Sequence, residues 1–97
     1  MDLFKSLEWK ESKTPKGIYA TMDFDNGFTA SVIRNDMSYG NAQGLYELAV
    51  LKDGSITSGT DITDDVLGWQ DENDIDRLLN AMSKMDSDGN VPKDILL

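Results

Sequence analysis

The sequence predicts an α+β domain: an antiparallel sheet of about four strands, with one helix over residues 71–85 packed on one of its faces. Three observations carry that prediction. Residues 44–56, GLYELAVLKDGSI, form the longest near-continuous apolar run, and it breaks at Asp53-Gly54. Residues 18–34 alternate apolar and polar side chains on either side of Asp25-Asn26-Gly27. Residues 71–85 place apolar side chains at helical spacing behind an aspartate. Ninety-seven residues suit one domain with one hydrophobic core.

Taken in order, residues 1–16 hold four lysines (5, 10, 13 and 16) against Asp2, Glu8 and Glu11. Leu3, Phe4 and Leu7 fit a turn or two of amphipathic helix. Alternatively, Leu7 and Trp9 share a face of a short strand over 7–12. Its charged neighbours suit an edge strand guarded against edge-to-edge pairing. Pro15 and Gly17 then mark a loop.

Residues 18–34 read as a β-hairpin, because Asn26 and Gly27 supply strong turn chemistry. A three-residue loop sets Phe24 opposite Phe28, Met22 opposite Ala30 and Ala20 opposite Val32. Opposed residues share a face, so this register keeps one face apolar. Gly27 is then expected in the left-handed position of a bulged turn. Residues 35–44, NDMSYGNAQG, make a polar connection that is long for so small a domain. Long loops are where binding concentrates, which makes Tyr39 a candidate contact; the alternative is a plain crossover with Tyr39 folded over the sheet edge.

Over 45–51, Tyr46, Leu48 and Val50 point to one face and Leu45, Ala49 and Leu51 to the other, with Glu47 among them. Apolar residues on both sides predict an interior strand or one covered twice. A turn at 52–54 leads to a short return strand containing Ile56. Residues 61–69, DITDDVLGW, have no clean period; they read as a turn followed by a short strand or an irregular approach to the helix. Asp71 is the expected N-cap, with acids at 72, 74 and 76 near the positive end of the helix dipole. Ile75, Leu78, Leu79 and Met82 fall at i, i+3, i+4 and i+7 and form one buried stripe. Asp86-Ser87-Asp88-Gly89-Asn90 stops the helix. It is not a calcium loop: counting from Asp86, the glycine and glutamate positions hold Val91 and Leu97. The apolar end of VPKDILL is left open between docking and fraying.

Composition narrows function mainly by exclusion. The chain has no cysteine and no histidine. Thiolate chemistry, disulfides, cysteine-based zinc sites and the usual neutral-pH base are therefore absent. No cofactor or metal is expected. No run approaches the ~20 apolar residues of a membrane span, and residues 1–11 lack the pattern of a secretory signal, which points to the cytoplasm. The formal charge is −9, from 18 acidic and 9 basic residues. Such a chain repels phosphate backbones and anionic membranes, so a basic protein is the favoured partner.

The acids concentrate. Asp61, Asp64, Asp65, Asp71, Glu72, Asp74 and Asp76 give seven carboxylates in sixteen residues with no cation among them. Grouped, they would project a negative field that attracts a basic surface or imitates DNA phosphates. With Tyr39 they are the candidate partner-binding residues. Paired carboxylates also do glycosidase chemistry, but only in a cleft at fixed separation, so no enzyme is expected. Self-association through a sheet edge, 7–12 or 28–34, is the alternative.

Together, FDNGFTASVIR, SYG, GLYELAVLKDG and ITDDVLGW-QDENDIDRLLNAM resemble short uncharacterised proteins of tailed-phage genomes, over roughly residues 16–85. The resemblance implies a small phage accessory protein in a bacterial host cell. It brings no catalytic residue with it. Small phage proteins of this type often act by binding host proteins, which suggests a host nucleic-acid or defence protein as target.

Overall fold

A computed structural model describes residues 2–57, 59–63 and 65–92. The strands are β1 (Lys10–Lys13), β2 (Lys16–Asp23), β3 (Phe28–Asn35), β4 (Tyr46–Lys52), β5 (Ser55–Ile56) and β6 (Val66–Gln70), and the helix is α1 (Glu72–Ser83). Short 3-10 turns lie at Phe4–Ser6 and Asn41–Gln43. All pairings are antiparallel, in the order β1-β2-β3-β4, and β5 and β6 share the outer edge of β4. The expected α+β domain is therefore present, with six described strands rather than about four. The additions are short: β5 lies beside Leu51 and Lys52, and β6 beside Tyr46, Leu48 and Ala49.

The hairpin has the expected register. Ala20 faces Val32 and Met22 faces Ala30. The Phe24 N–H donates to the Phe28 carbonyl at 2.9 Å, and Gly27 has φ +93°. At the next hairpin Asp53 and Gly54 both take positive φ, as a two-residue turn requires.

β4 is interior, paired on both edges, but it is covered on one face only. Tyr46, Leu48 and Val50 are buried, whereas Glu47, Ala49 and Leu51 are half-exposed. Of the two alternatives read from the sequence, the interior strand is the one observed and two-sided cover is not: the single described α-helix lies on one side. β3 is also interior, so 28–34 offers no free edge. The outer edge is β1, with Lys10, Glu11 and Lys13 exposed, which agrees with the guarded edge read over 7–12. Of the two N-terminal alternatives, both occur in part: a 3-10 turn at Phe4–Ser6 and then the edge strand.

The core is one cluster between sheet and helix. Ala20, Phe28, Ala30, Val32, Leu48 and Val50 meet Ile75, Leu78, Leu79 and Met82, with Leu7, Ile62, Met85 and Val91 closing the sides. The helical stripe is buried as its spacing dictates. α1 begins at a reciprocal capping box, in which Asp71 accepts from the Asp74 N–H and Asp74 accepts from the Asp71 N–H. It ends two residues before the expected boundary. There the Asn26 side-chain amide donates to the carbonyls of Met82 at 2.8 Å and Met85 at 3.0 Å. The hairpin turn thus adds a side-chain donor to carbonyls at and just beyond the helix end, of which the Met82 carbonyl also accepts from the Met85 N–H. The segment to Val91 docks: Val91 is buried, and its N–H donates to Asp61 at 2.8 Å. Positions 93–97 of the tail lie outside the described residues.

Candidate functional site

β6 divides the predicted acidic region in two. Asp61 and Asp65 precede it, and Asp71, Glu72, Asp74 and Asp76 follow it. Its five residues span about 13 Å, so the carboxylates flank a strand rather than forming one patch. Several also have internal duties. Asp61 holds the Val91 N–H, and Asp71 and Asp74 cap the helix. Arg77 lies 3.5 Å from Asp74. Asp76 accepts from the Phe4 N–H at 2.9 Å, tying the N-terminal turn to α1. Asp65 and Glu72 are exposed, and their carboxylates accept no hydrogen bond from the described residues. Asp64 lies outside the described residues.

The Asp86 turn serves structure, as its helix-stopping reading implies. Its carboxylate accepts from the N–H groups of Asp88 and Asn90. The Asn90 N–H, first among the causes, holds its pKa below the ordinary 3.8, against a smaller upward push from desolvation. Among the described residues, no three His, Cys, Asp or Glu side chains gather as a metal site. No helix among them is long and apolar enough to cross a membrane.

Tyr39 has a more developed setting than its sequence context suggested. The connection from 35 to 45 is pinned rather than loose. Buried Asn35 accepts from the Met37 N–H, and the Ser38 hydroxyl bonds both backbone groups of Asn35. The Tyr39 N–H donates to Glu47 at 2.9 Å, and the Trp69 N–H donates to the Tyr39 carbonyl at 3.3 Å. The two rings stack, 5.1 Å apart and 29° from parallel. Yet Tyr39 keeps 55% of its surface in solvent and Trp69 57%.

A β-bulge makes this pairing possible. Leu67 faces Leu48 and Gln70 faces Tyr46, so Gly68 and Trp69 together oppose the single residue Glu47. Trp69 sits at φ +54°, a conformation unusual for a bulky side chain. Gly68 is required by contact: a Cβ there would come within 2.4 Å of the Tyr39 Cβ. Gly40, at φ +95°, is packed against the Trp69 backbone in the same way.

Trp69 and Glu47 were not among the sequence candidates. The available signal was Glu47 itself, the one charge inside an otherwise apolar strand. No protein-family model, curated protein or solved structure matches this chain.

Proposed function

We propose that this chain is a small acidic accessory protein that acts by binding a basic protein surface through the 61–76 edge. One observation carries this reading. Asp61, Asp65, Asp71 and Glu72 are exposed along that edge, and none of them has a cation partner among the described ion pairs, Lys5–Asp2 and Arg77–Asp74. Uncompensated charge of one sign attracts an opposite surface and repels nucleic acid and anionic lipid. The resemblance to short tailed-phage proteins supports a target among host nucleic-acid or defence proteins in the bacterial cytoplasm.

The test is affinity capture from bacterial lysate in a salt series, with the captured protein identified. This reading expects one basic protein whose retention falls with salt, and falls further for the triple variant Asp64→Asn, Asp65→Asn, Glu72→Gln. A captured partner that is acidic, or retained equally by that variant, overturns it.

A second reading, self-assembly through a sheet edge, has one observation in its favour. β2 extends past β1, whose last partner is Tyr19, and among the described residues the outer edge of 20–23 has no neighbouring strand. The −9 charge on each copy opposes it. Sedimentation at rising concentration decides: a monomer throughout removes this reading.

A further inference from the structure

We propose that Trp69, Tyr39 and Glu47 form a seat for an arginine side chain of the partner, an inference that rests on the reading that the partner is basic. The three residues meet at one end of the sheet face that α1 leaves open. The stacked rings present π-surface to solvent, and π-faces attract cations. Glu47 stands half-buried beside them with one carboxylate oxygen on the Tyr39 N–H; among the described residues it makes no ion pair and no other hydrogen bond. A carboxylate held on the backbone of a residue whose ring stacks in solvent matches a guanidinium, which is flat, weakly hydrated and forked. An ammonium would use the charge but not the plane.

Three further observations favour this occupant. Asp61 and Asp65 lie before Trp69 in the chain and Asp71 and Glu72 after it, so the seat sits between two groups of exposed acids. Charge of this sign selects a cationic segment over a second copy of a −9 chain. Exposed Tyr and Trp surrounded by polar groups is also the composition of binding hot spots. Finally, the bulge and the left-handed Trp69 hold an aromatic ring in solvent at a backbone cost, and such outliers collect at ligand sites.

The experiment is calorimetric and fluorescence titration of the intact protein with a hexa-arginine peptide, a hexalysine peptide and a single-stranded oligonucleotide. Trp69 is the exposed tryptophan and reports directly. The expected result is hexa-arginine binding about fivefold or more tighter than hexalysine, and no oligonucleotide binding. Trp69→Gly and Glu47→Gln should each weaken the arginine peptide about tenfold. Glu47→Gln keeps an oxygen for the Tyr39 N–H, so the loop stays in place. Asp65→Asn/Glu72→Gln should weaken it by less than about threefold. If Trp69→Gly and Glu47→Gln bind like the parent while the Asp65/Glu72 variant fails, the seat is wrong and the basic-partner reading survives. Equal affinity for the two peptides, binding of neither, or preference for the oligonucleotide also overturns the seat.

Discussion

The two faces of this sheet are made by alternate residues of the same strands and differ in almost every respect. On one face Ala20, Ala30, Val32, Leu48 and Val50 are buried beneath α1. On the other, Tyr19, Thr21, Thr29, Ser31, Ile33, Glu47, Ala49 and Leu51 have no helix over them among the described residues, and none is fully buried. A strand changes face at every residue, so one sequence serves two independent demands. The covered face determines whether the chain folds. The open face carries hydroxyls, a lone carboxylate and exposed rings, and its residues are less buried.

That contrast can be broken by substitution, and the largest effect belongs to the covered side. Leu48→Ala or Leu79→Ala removes a fully buried side chain between sheet and helix. Each is expected to cost about 2–5 kcal/mol by urea denaturation. An open-face residue with the same sensitivity would show that the two faces are coupled.

Next is the joint between hairpin and helix. Asn26→Ala removes its hydrogen bonds to the Met82 carbonyl of α1 and the Met85 carbonyl just beyond it, and the turn acceptor for the Phe28 N–H. A loss of about 1–3 kcal/mol is expected, without change in the urea m-value. An unaffected midpoint would mean that water replaces the amide at no cost.

Trp69→Gly sharpens the comparison. It loses a ring stack worth about 0.5–1.5 kcal/mol but relieves a left-handed backbone worth a similar amount. Its folding midpoint should therefore stay within about 1 kcal/mol of the parent while arginine-peptide binding falls. A large destabilisation would make Trp69 a structural residue after all.

The smallest effect is one of pH. Asp86 has a pKa lowered in the folded state, chiefly by the Asn90 N–H. A lowered carboxylate pKa stabilises above the unfolded value and loses that contribution as pH falls through the folded one. Protection of the amides of Gly89 to Val91, relative to their intrinsic exchange, should thus fall as pH drops below 3.8, and Asp86→Asn should remove the inflection. The same inflection in Asp86→Asn would assign it to another group.

Much of the covered face was legible because periodicity reports burial. The spacing of Ile75, Leu78, Leu79 and Met82 gave the helix stripe, and the Asp25-Asn26-Gly27 loop gave the register that Met22 and Ala30 adopt. Local signals stop short of tertiary partners. Asn26 reads as a turn residue, but nothing near it announces the α1 carbonyls some 56 residues away. The two-sided apolar pattern of β4 left an interior strand and cover on both faces as alternatives; interior position is what occurs, and half-buried Ala49 and Leu51 needed only strand neighbours. The acids at 61–76 are close in sequence, yet β6 separates them. Conversely, Trp69 is distant in sequence from Tyr39 and Glu47, and it joins them only because a bulge turns it toward the loop.

A basic partner is proposed to dock at the Tyr39–Glu47–Trp69 end of the open face, between the acids of the 61–76 edge, and a chemical-shift map during titration with the arginine peptide tests this most directly. The predicted result is perturbation centred on the amides of Tyr39, Glu47, Gly68 and Trp69 and on the Trp69 indole, with Ile75, Leu79 and Met82 unmoved. Shifts that spare Tyr39, Glu47 and Trp69, or that spread through the covered core, would contradict it.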